Sequence, residues 1–166
     1  MENVTINKSI HLSEHFTLGE VTKSRHEGIY NIPSHVAIEN LKRVCSWLEE
    51  LRFTYNSLYC LKPGEDYETS ENVEQIVINS GFRSPELNKK VGGAPTSNHL
   101  TGCAVDIRVY GIEQALRYAV ILMDYADETR QDYDELLIER NRSGRYWVHF
   151  AVRPKDNRRK TSFIMT

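Results

Sequence analysis

Two imidazoles and one carboxylate are the side chains of this sequence best suited to chemistry. His99 and Asp106 lie in a short segment of mostly small residues, and His149 follows in the aromatic-rich run of residues 146–150. Two histidines and one aspartate can bind a zinc ion and leave one coordination position open for water. An open position on zinc is typical of hydrolytic sites, so these residues predict a metal-dependent hydrolase with Zn²⁺ as its cofactor.

The predicted strands have to bring these groups together. Side chains alternate along a strand, so Asp106 faces one side of a predicted strand over residues 104–110, and His149 one side of a later strand over residues 146–153. If the strands are neighbours, the two side chains meet above the sheet, and His99 joins them from the preceding loop. A lone histidine in a strand is usually a hydrogen-bonded core residue. A carboxylate inside an apolar strand needs compensation, however, and this favours the metal site.

Arg83 is a candidate substrate contact. In residues 80–84 a strand ends, a glycine turns the chain, and the arginine precedes a helix capped by Ser84. A guanidinium at the mouth of the site can hold a carboxylate or a carbonyl oxygen by paired hydrogen bonds. The alternative is a salt bridge with Glu86 or another nearby acid. Cys103 could in principle add a sulfur ligand, but its place between Gly102 and Ala104 suits a small packing residue.

The pattern of apolar residues and turns predicts an α+β fold, with helices packed on one face of a small, mainly antiparallel sheet. A capping box indicates a short helix from residue 17, and the last two strands are expected to form a hairpin around a turn at residues 142–144. The predicted elements are helices over residues 34–55, 84–92 and 112–130, and strands over residues 75–80, 104–110, 135–139 and 146–153.

Length and composition indicate one soluble domain over residues 1–166, with a lead-in at 1–16 and a tail at 154–166. The tail contains the basic run 158–160, which is expected to be a solvated charge cluster. The net charge of −2 argues against nucleic acid as the main partner. Three cysteines, an odd number without CxxC spacing, exclude a complete disulfide framework.

No apolar run approaches the roughly 20 residues that cross a bilayer, so no membrane span is expected. The first residues lack a basic stretch followed by an apolar one, which predicts no signal peptide in this chain. The compartment stays open: the protein works inside the cell, or is released by another route, or is processed from a longer form. It is expected to be a monomer.

Several spaced motifs resemble the zinc D-Ala-D-Ala carboxypeptidase family. This family includes bacterial cell-wall peptidases, vancomycin-resistance D,D-peptidases and some phage endolysins, and the amino-terminal Hedgehog domain shares its fold. The resemblance is strong over residues 80–106 and 136–152, and residues 16–51 resemble the leading helical region. The matching residues are Ser80-Gly-Phe-Arg-Ser, Leu87-Asn88, Val91-Gly92-Gly93, Ser97-x-His99-x-x-Gly102-x-Ala104-x-Asp106 and Trp147-Val148-His149.

The resemblance implies that His99, Asp106 and His149 bind zinc, and that Arg83 contacts the substrate and helps stabilise the developing oxyanion. It also implies that Ser97 donates a hydrogen bond to the peptide. The substrate class would be peptidoglycan stem peptides, often ending in D-Ala-D-Ala. Such an enzyme is either a carboxypeptidase or an endopeptidase, and phage or prophage lytic systems are one source of such endopeptidases.

The sequence departs from the best-known pattern at the general base. Many relatives carry Glu or Asp three residues before the last histidine, and Tyr146 occupies that position here. Glu139, at the end of the preceding strand, resembles an acid found there in one branch of the family and is the candidate base. Tyr146 or another group is the alternative. The missing acid also keeps open a non-catalytic, zinc-braced module that binds cell-wall peptides or a protein partner.

Overall fold

The computed structural model describes residues 6–166 and confirms the predicted α+β class. Four α-helices, one 3-10 helix and five strands follow one another in the described part of the chain. In order they are α1 (Leu18–Thr22), α2 (His35–Tyr59), β1 (Ile78–Ser80), α3 (Pro85–Lys90), the 3-10 helix (Asn98–Thr101), β2 (Ala104–Arg108), α4 (Ile112–Thr129), β3 (Glu135–Arg140), β4 (Tyr146–Ala151) and β5 (Lys160–Met165).

The helices begin where the sequence places polar caps. The Thr17 hydroxyl accepts from the backbone of Glu20, whose carboxylate in turn accepts from the backbone of Thr17, which completes the capping box of α1. The hydroxyls of Ser34 and Ser84 accept from the backbone N–H of Ala37 and Leu87 and cap α2 and α3, whereas α4 begins without a side-chain cap. Helix α2 extends to Tyr59, beyond the predicted end at residue 55, because the helix-breaking pair Pro63-Gly64 comes only later.

The sheet has the strand order β1-β2-β4-β3-β5. The pairs β1–β2, β2–β4 and β3–β4 are antiparallel, and β3–β5 is parallel, so the sheet is mainly antiparallel as predicted. The hairpin of β3 and β4 is confirmed. The outer strand β1 covers only Ile78–Ser80 of the predicted residues 75–80, and its register with β2 is irregular between Ile78 and Ser80.

Alternation along the central strands divides the sheet into an apolar face and a polar face. The apolar face is buried with helices α2 and α4 in the core of the domain. Its central residues are Val105, Ile107, Leu136, Ile138, Val148 and Phe150. Asp106, His149 and Glu139 occupy the alternate positions. The candidate site therefore lies on the polar face, with a packed core behind it.

Residues 154–166, expected to be a tail, are mostly exposed but include a strand. Lys160–Met165 form the parallel edge strand β5, and Arg158 makes an ion pair with the fully buried carboxylate of Asp134. Five of the six residues of β5 are exposed, so the strand has no buried face to mark it in the sequence. Its position depends on backbone pairing and on Arg158, neither of which leaves a hydrophobic pattern.

The lead-in expected at residues 1–16 lies in part outside the described residues, which begin at residue 6. In the described part, Leu12 and Phe16 are buried in the core, and the backbone of His11 forms an isolated antiparallel bridge with that of Thr17. This segment therefore packs against the domain. None of the helices formed by residues 6–166 has both the length and the apolar character needed to cross a bilayer.

Candidate metal centre

His99, Asp106 and His149 converge on the polar face of the sheet, as the sequence predicted. Asp106 on β2 is in register with His149 on β4, and His99 comes from the 3-10 helix just before β2. Asp106 Oδ1 lies 2.9 Å from His149 Nδ1 and 3.3 Å from His99 Nε2. One possible ligand atom from each residue lies within 4.8 Å of the other two. A single divalent cation therefore fits among the three.

In each imidazole, the ring nitrogen that faces away from Asp106, here called the outer nitrogen, has its own hydrogen-bond partner. His99 Nδ1 lies 2.6 Å from the carbonyl oxygen of Gly81, which accepts its proton and leaves Nε2 facing Asp106. His149 Nε2 lies 3.4 Å from Glu135 Oε2, and its Nδ1 faces Asp106. Metal-binding histidines typically donate the other ring N–H to a carboxylate or a carbonyl in this way. The arrangement presents one lone pair from each ring to the same point.

The charges at the centre favour an ionised aspartate. Burial opposes ionisation of Asp106, but the positive charge of His99 and the hydrogen bonds from His149 and His99 outweigh it and hold its pKa well below the usual range. His149 also overcomes its burial, because hydrogen bonds to Asp106 and Glu135 raise its pKa to about 9. The carboxylate thus stabilises positive charge at this point, whether it is a proton or a metal ion.

Arg83 makes its salt bridge with Asp106, not with Glu86. Its Nη2 lies 2.7 Å from Asp106 Oδ2, and its Nε donates to Ser80 Oγ at 2.9 Å. Asp106 therefore presents Oδ1 to the histidines and Oδ2 to the guanidinium. Among the described residues, none accepts a hydrogen bond from Nη1 of Arg83, and this group lines the cleft beside the histidines.

Two close backbone contacts set the loop that carries His99. Gly102 has a φ of 73°, and a Cβ there would lie 2.5 Å from the carbonyl oxygen of Ala37 on α2. A Cβ on Gly81 would collide with the carbonyl oxygen of Val21, and the next residue, Phe82, donates its N–H to that oxygen at 2.7 Å. Both positions need glycine because helix backbone occupies the space of a side chain.

Ser97 lies beside the predicted ligands, in the wall of the same cleft. Its Oγ accepts from the backbone N–H of His99 at 3.3 Å and caps the 3-10 helix. Its hydroxyl hydrogen has no acceptor among residues 6–166. Ser97 therefore helps to place His99 and can still donate a hydrogen bond into the cleft.

Glu139 and Glu135 line the same cleft but have opposite electrostatic environments. Burial raises the pKa of Glu139, and the negative charges of Asp106 and Glu135 add to the effect against the positive His149 and Arg83. The pKa of Glu135 is lowered to about 2 by its hydrogen bond with His149, despite its burial. Glu139 is thus the carboxylate better able to take up a proton, and Glu135 stays ionised beside His149.

The sequence reasoning missed Glu135 and the groups that hold it. Asn98 Nδ2 donates to Glu135 Oε2 at 3.1 Å and to Asp134 Oδ2 at 2.7 Å. The alternation of β3 places Glu135 on the same face as Glu139, so the hairpin pattern contained the signal. Asn98 gave no comparable signal, because its role depends on long-range contacts.

The sequence left Cys103 open as a further metal ligand and Tyr146 as the alternative general base, and the structure favours neither role. Cys103 is buried, its Sγ is directed to the carbonyl oxygen of Thr101, and burial raises the pKa of its thiol, which disfavours the thiolate that would bind a metal. Tyr146 is next to the hairpin turn, and its ring contacts Phe163 on β5 at a centroid distance of 6.2 Å. Tyr146 does not line the cleft that holds the histidines, whereas Glu139 does.

The cleft around these residues has a volume of about 660 Å³ and opens to solvent on the polar face of the sheet. One wall comes from residues 91–99 and the other from strands β3 and β4. The floor carries both polar and charged groups. A cleft of this kind can admit a peptide segment to the three predicted ligands.

Comparison with known proteins agrees with this geometry. The model of the Peptidase M15 family matches residues 66–135, which is less than half of the chain. The matched segment contains Arg83, Ser97, His99 and Asp106, and the fold adds His149 from outside it. No curated protein matches the chain. The family match, together with the possible metal site of His99, Asp106 and His149, supports a zinc metallopeptidase of the cell-wall class.

Proposed function

We propose that this protein is a zinc-dependent peptidase that hydrolyses peptidoglycan stem peptides, in the manner of a D-Ala-D-Ala carboxypeptidase. The observation that carries the proposal is the convergence of His99, Asp106 and His149 in one cleft with an acid of raised pKa, Glu139. The match to the Peptidase M15 family supports the same reaction class.

The donor set fits zinc. Two imidazole nitrogens and one carboxylate oxygen are typical ligands of catalytic zinc, and the outer hydrogen bonds from Gly81 and Glu135 are typical of such sites. A zinc ion bound there would polarise the scissile carbonyl and lower the pKa of a bound water to near 7.

Glu139 is the proposed general base. It lines the cleft with the histidines, and burial raises its pKa, which makes its carboxylate a better proton acceptor. In the proposed reaction its carboxylate accepts the proton of the attacking water and then passes it to the leaving amine.

Arg83 and Ser97 are the proposed substrate contacts. Nη1 of Arg83 is available to a carbonyl or terminal carboxylate, and its bond to Asp106 fixes the direction of the guanidinium. Ser97 lines the same cleft, and its hydroxyl can donate a hydrogen bond to an oxygen of the bound peptide. Arg83 also places positive charge where an oxyanion would develop.

A zinc-braced binding module is the second candidate, because Tyr146 stands where many members of the resembled family carry an acid. Its cleft and metal site would be the same, without turnover. Glu139 argues for the enzyme, since an acid of raised pKa beside the site has no evident role in a module that only binds.

Digestion of purified peptidoglycan, with mass analysis of the products, tests the proposal. We expect loss of terminal D-alanine or cleavage within stem peptides, abolished by a chelator and restored by zinc. Release of D-alanine alone identifies a carboxypeptidase, and shortened cross-links identify an endopeptidase. If the protein binds one zinc ion per chain but yields no product, the proposed peptidase activity is wrong and the binding module is favoured.

A further inference from the structure

A second cleft, of about 700 Å³, adjoins the candidate metal centre and is lined by basic side chains. Arg83 and Val91 line both clefts, so a ligand can pass from one into the other without leaving the surface. Among residues 6–166, four further cations line the second cleft, and no Asp or Glu of that range does so. They are Lys23, Arg25, Arg108 and Arg145.

These four cations come from three separate parts of the chain. Lys23 and Arg25 lie on the loop after α1, which the contact between Val21 and residues 81–82 holds against the sheet. Arg108 ends β2 on the same face as Asp106, and Arg145 lies in the β3–β4 turn. The fold, not a local charge run, assembles the cluster.

The positive charges in this cleft are uncompensated. None of the four cations has an ion-pair partner within residues 6–166, although the whole chain carries a net charge of −2. Burial and the nearby charges of Arg108 and Arg25 lower the pKa of Lys23, while Glu20 opposes this. Clustered cations without acids attract anionic ligands.

Apolar side chains among the cations favour a peptide over a phosphate polymer. Leu87, Val91 and Val109 line the cleft, with the ring of Tyr146 at one end. Aliphatic parts of a peptide can pack on these groups while its carboxylates meet the cations. A polyphosphate chain has no apolar groups that could pack on these side chains.

We propose that the basic cleft binds the free side-chain or main-chain carboxylates of the stem peptide next to the bond that is cut. The cleft then discriminates stem peptides with a free glutamate carboxylate from those in which it is amidated. This inference rests on the proposed function for its substrate class, and its test is a binding measurement that needs no turnover.

The experiment uses two fluorescent stem-peptide probes that differ only in a carboxylate or a carboxamide at the glutamate. Their dissociation constants are measured by anisotropy with the full chain carrying Glu139→Gln, so that the probes stay intact. We expect at least about three-fold tighter binding of the carboxylate probe, as a few exposed ion pairs would give. Raising the salt from about 0.05 to about 0.5 M should reduce the preference by screening.

Adding Arg25→Gln and Arg145→Gln should remove the preference, so that the carboxylate and carboxamide probes bind with equal dissociation constants. Arg142→Gln is the matched control, because Arg142 is an exposed arginine near Arg145 that does not line the cleft. Equal affinity of the unsubstituted cleft for both probes would overturn the inference. So would equal losses in the Arg142 control, or stronger binding of a glycerol-phosphate oligomer of matched charge.

The outcomes separate this inference from the proposed function. Digestion of peptidoglycan without a preference between the probes leaves the peptidase and removes the carboxylate site. A preference that depends on Arg25 and Arg145, in a protein that yields no product, leaves the carboxylate site and removes the peptidase.

Discussion

Asp106 and His149 lie directly opposite each other on β2 and β4, and their side chains meet with 2.9 Å between Oδ1 and Nδ1. Antiparallel register places two such residues on one face of the sheet without help from a loop. Two of the three proposed ligands therefore belong to the rigid part of the fold. Only His99 depends on a turn.

Replacing Asp106 with Asn should weaken zinc binding by more than about 100-fold, since loss of an outer partner alone costs about 10- to 100-fold. The amide keeps the shape of the side chain but removes the negative charge that both histidines face. Zinc content after dialysis and a competition titration measure the loss. Asp124→Asn, at an exposed acid of α4, is the control and should bind zinc normally. Normal affinity in Asp106→Asn would remove this residue from the metal site.

Glu139→Gln should lower kcat by about 100- to 10,000-fold and leave the zinc content at the unsubstituted level. The amide cannot accept the proton of the attacking water, and no hydrogen bond or ion pair within residues 6–166 joins the Glu139 side chain to the predicted ligands. Peptide hydrolysis followed with zinc analysis checks both parts. Tyr146→Phe, which removes the alternative base, should retain most of the activity; the opposite ranking of the two variants would assign the role to Tyr146.

Glu135→Gln should have the opposite effect to Glu139→Gln, with weaker zinc binding and little change in the activity of the zinc-bound protein. Its carboxylate faces the outer nitrogen of His149, so the amide should weaken zinc binding by about 10- to 100-fold. At saturating zinc much of the activity should return. Activity that stays low at full zinc occupancy would show that Glu135 acts in the chemistry and not through His149.

The metal-free protein should lose stability as the pH rises toward 9. Hydrogen bonds to Asp106 and Glu135 raise the folded-state pKa of His149 from its ordinary value of 6.5 to about 9. A raised pKa means that the folded state binds the proton more tightly, so its stabilisation is complete below about pH 6.5 and is lost as the pH passes through about 9. Urea unfolding with a chelator should show a decline on the order of 2 kcal/mol over this window.

His149→Gln provides the reference for that measurement, because it removes the titrating group. The variant should show a flatter profile between pH 6.5 and 9.5. Asp106 and Glu135 titrate far below this window, so their altered environment does not affect the comparison. Parallel profiles for the two proteins would mean that His149 carries no raised pKa in the folded state.

The sequence predicted the convergence of His99, Asp106 and His149 because their signals are local or periodic. Alternation places Asp106 and His149 on the polar face, and the apolar residues between them mark the strands. Asn98 was missed because it acts through contacts with residues far away in the sequence. Glu135 was missed although alternation along β3 places it on the same face as Glu139. Strand β5 was missed because it is an exposed edge, where no burial pattern forms. Burial patterns thus predicted the central strands of the sheet. The edge strand β5 is held instead by backbone pairing with β3 and by the ion pair of Arg158 with Asp134.

Gly102→Ala should destabilise the protein by about 1–3 kcal/mol and weaken zinc binding. The new Cβ would meet the carbonyl oxygen of Ala37 at 2.5 Å, and the φ of 73° is unfavourable for alanine. Gly28→Ala separates the two causes, because Gly28 has a φ of 78° and open space around it. Thermal unfolding should show a clearly larger loss for Gly102. Equal losses would mean that backbone strain alone, and not contact with α2, requires this glycine.

Asp134→Asn should cost about 3–5 kcal/mol, as expected when one partner of a buried ion pair is lost. The fully buried carboxylate accepts from Arg153, from the guanidinium and backbone of Arg158, and from Asn98. An amide removes the counter-charge that Arg153 faces, leaves Arg158 with only its ion pair to Glu135, and removes the charge that Asn98 faces. Asp132→Asn breaks only an exposed pair with Arg159 and should cost less than about 1 kcal/mol. Similar unfolding free energies for the two variants would show that Asp134 does not hold the carboxyl-terminal segment in place.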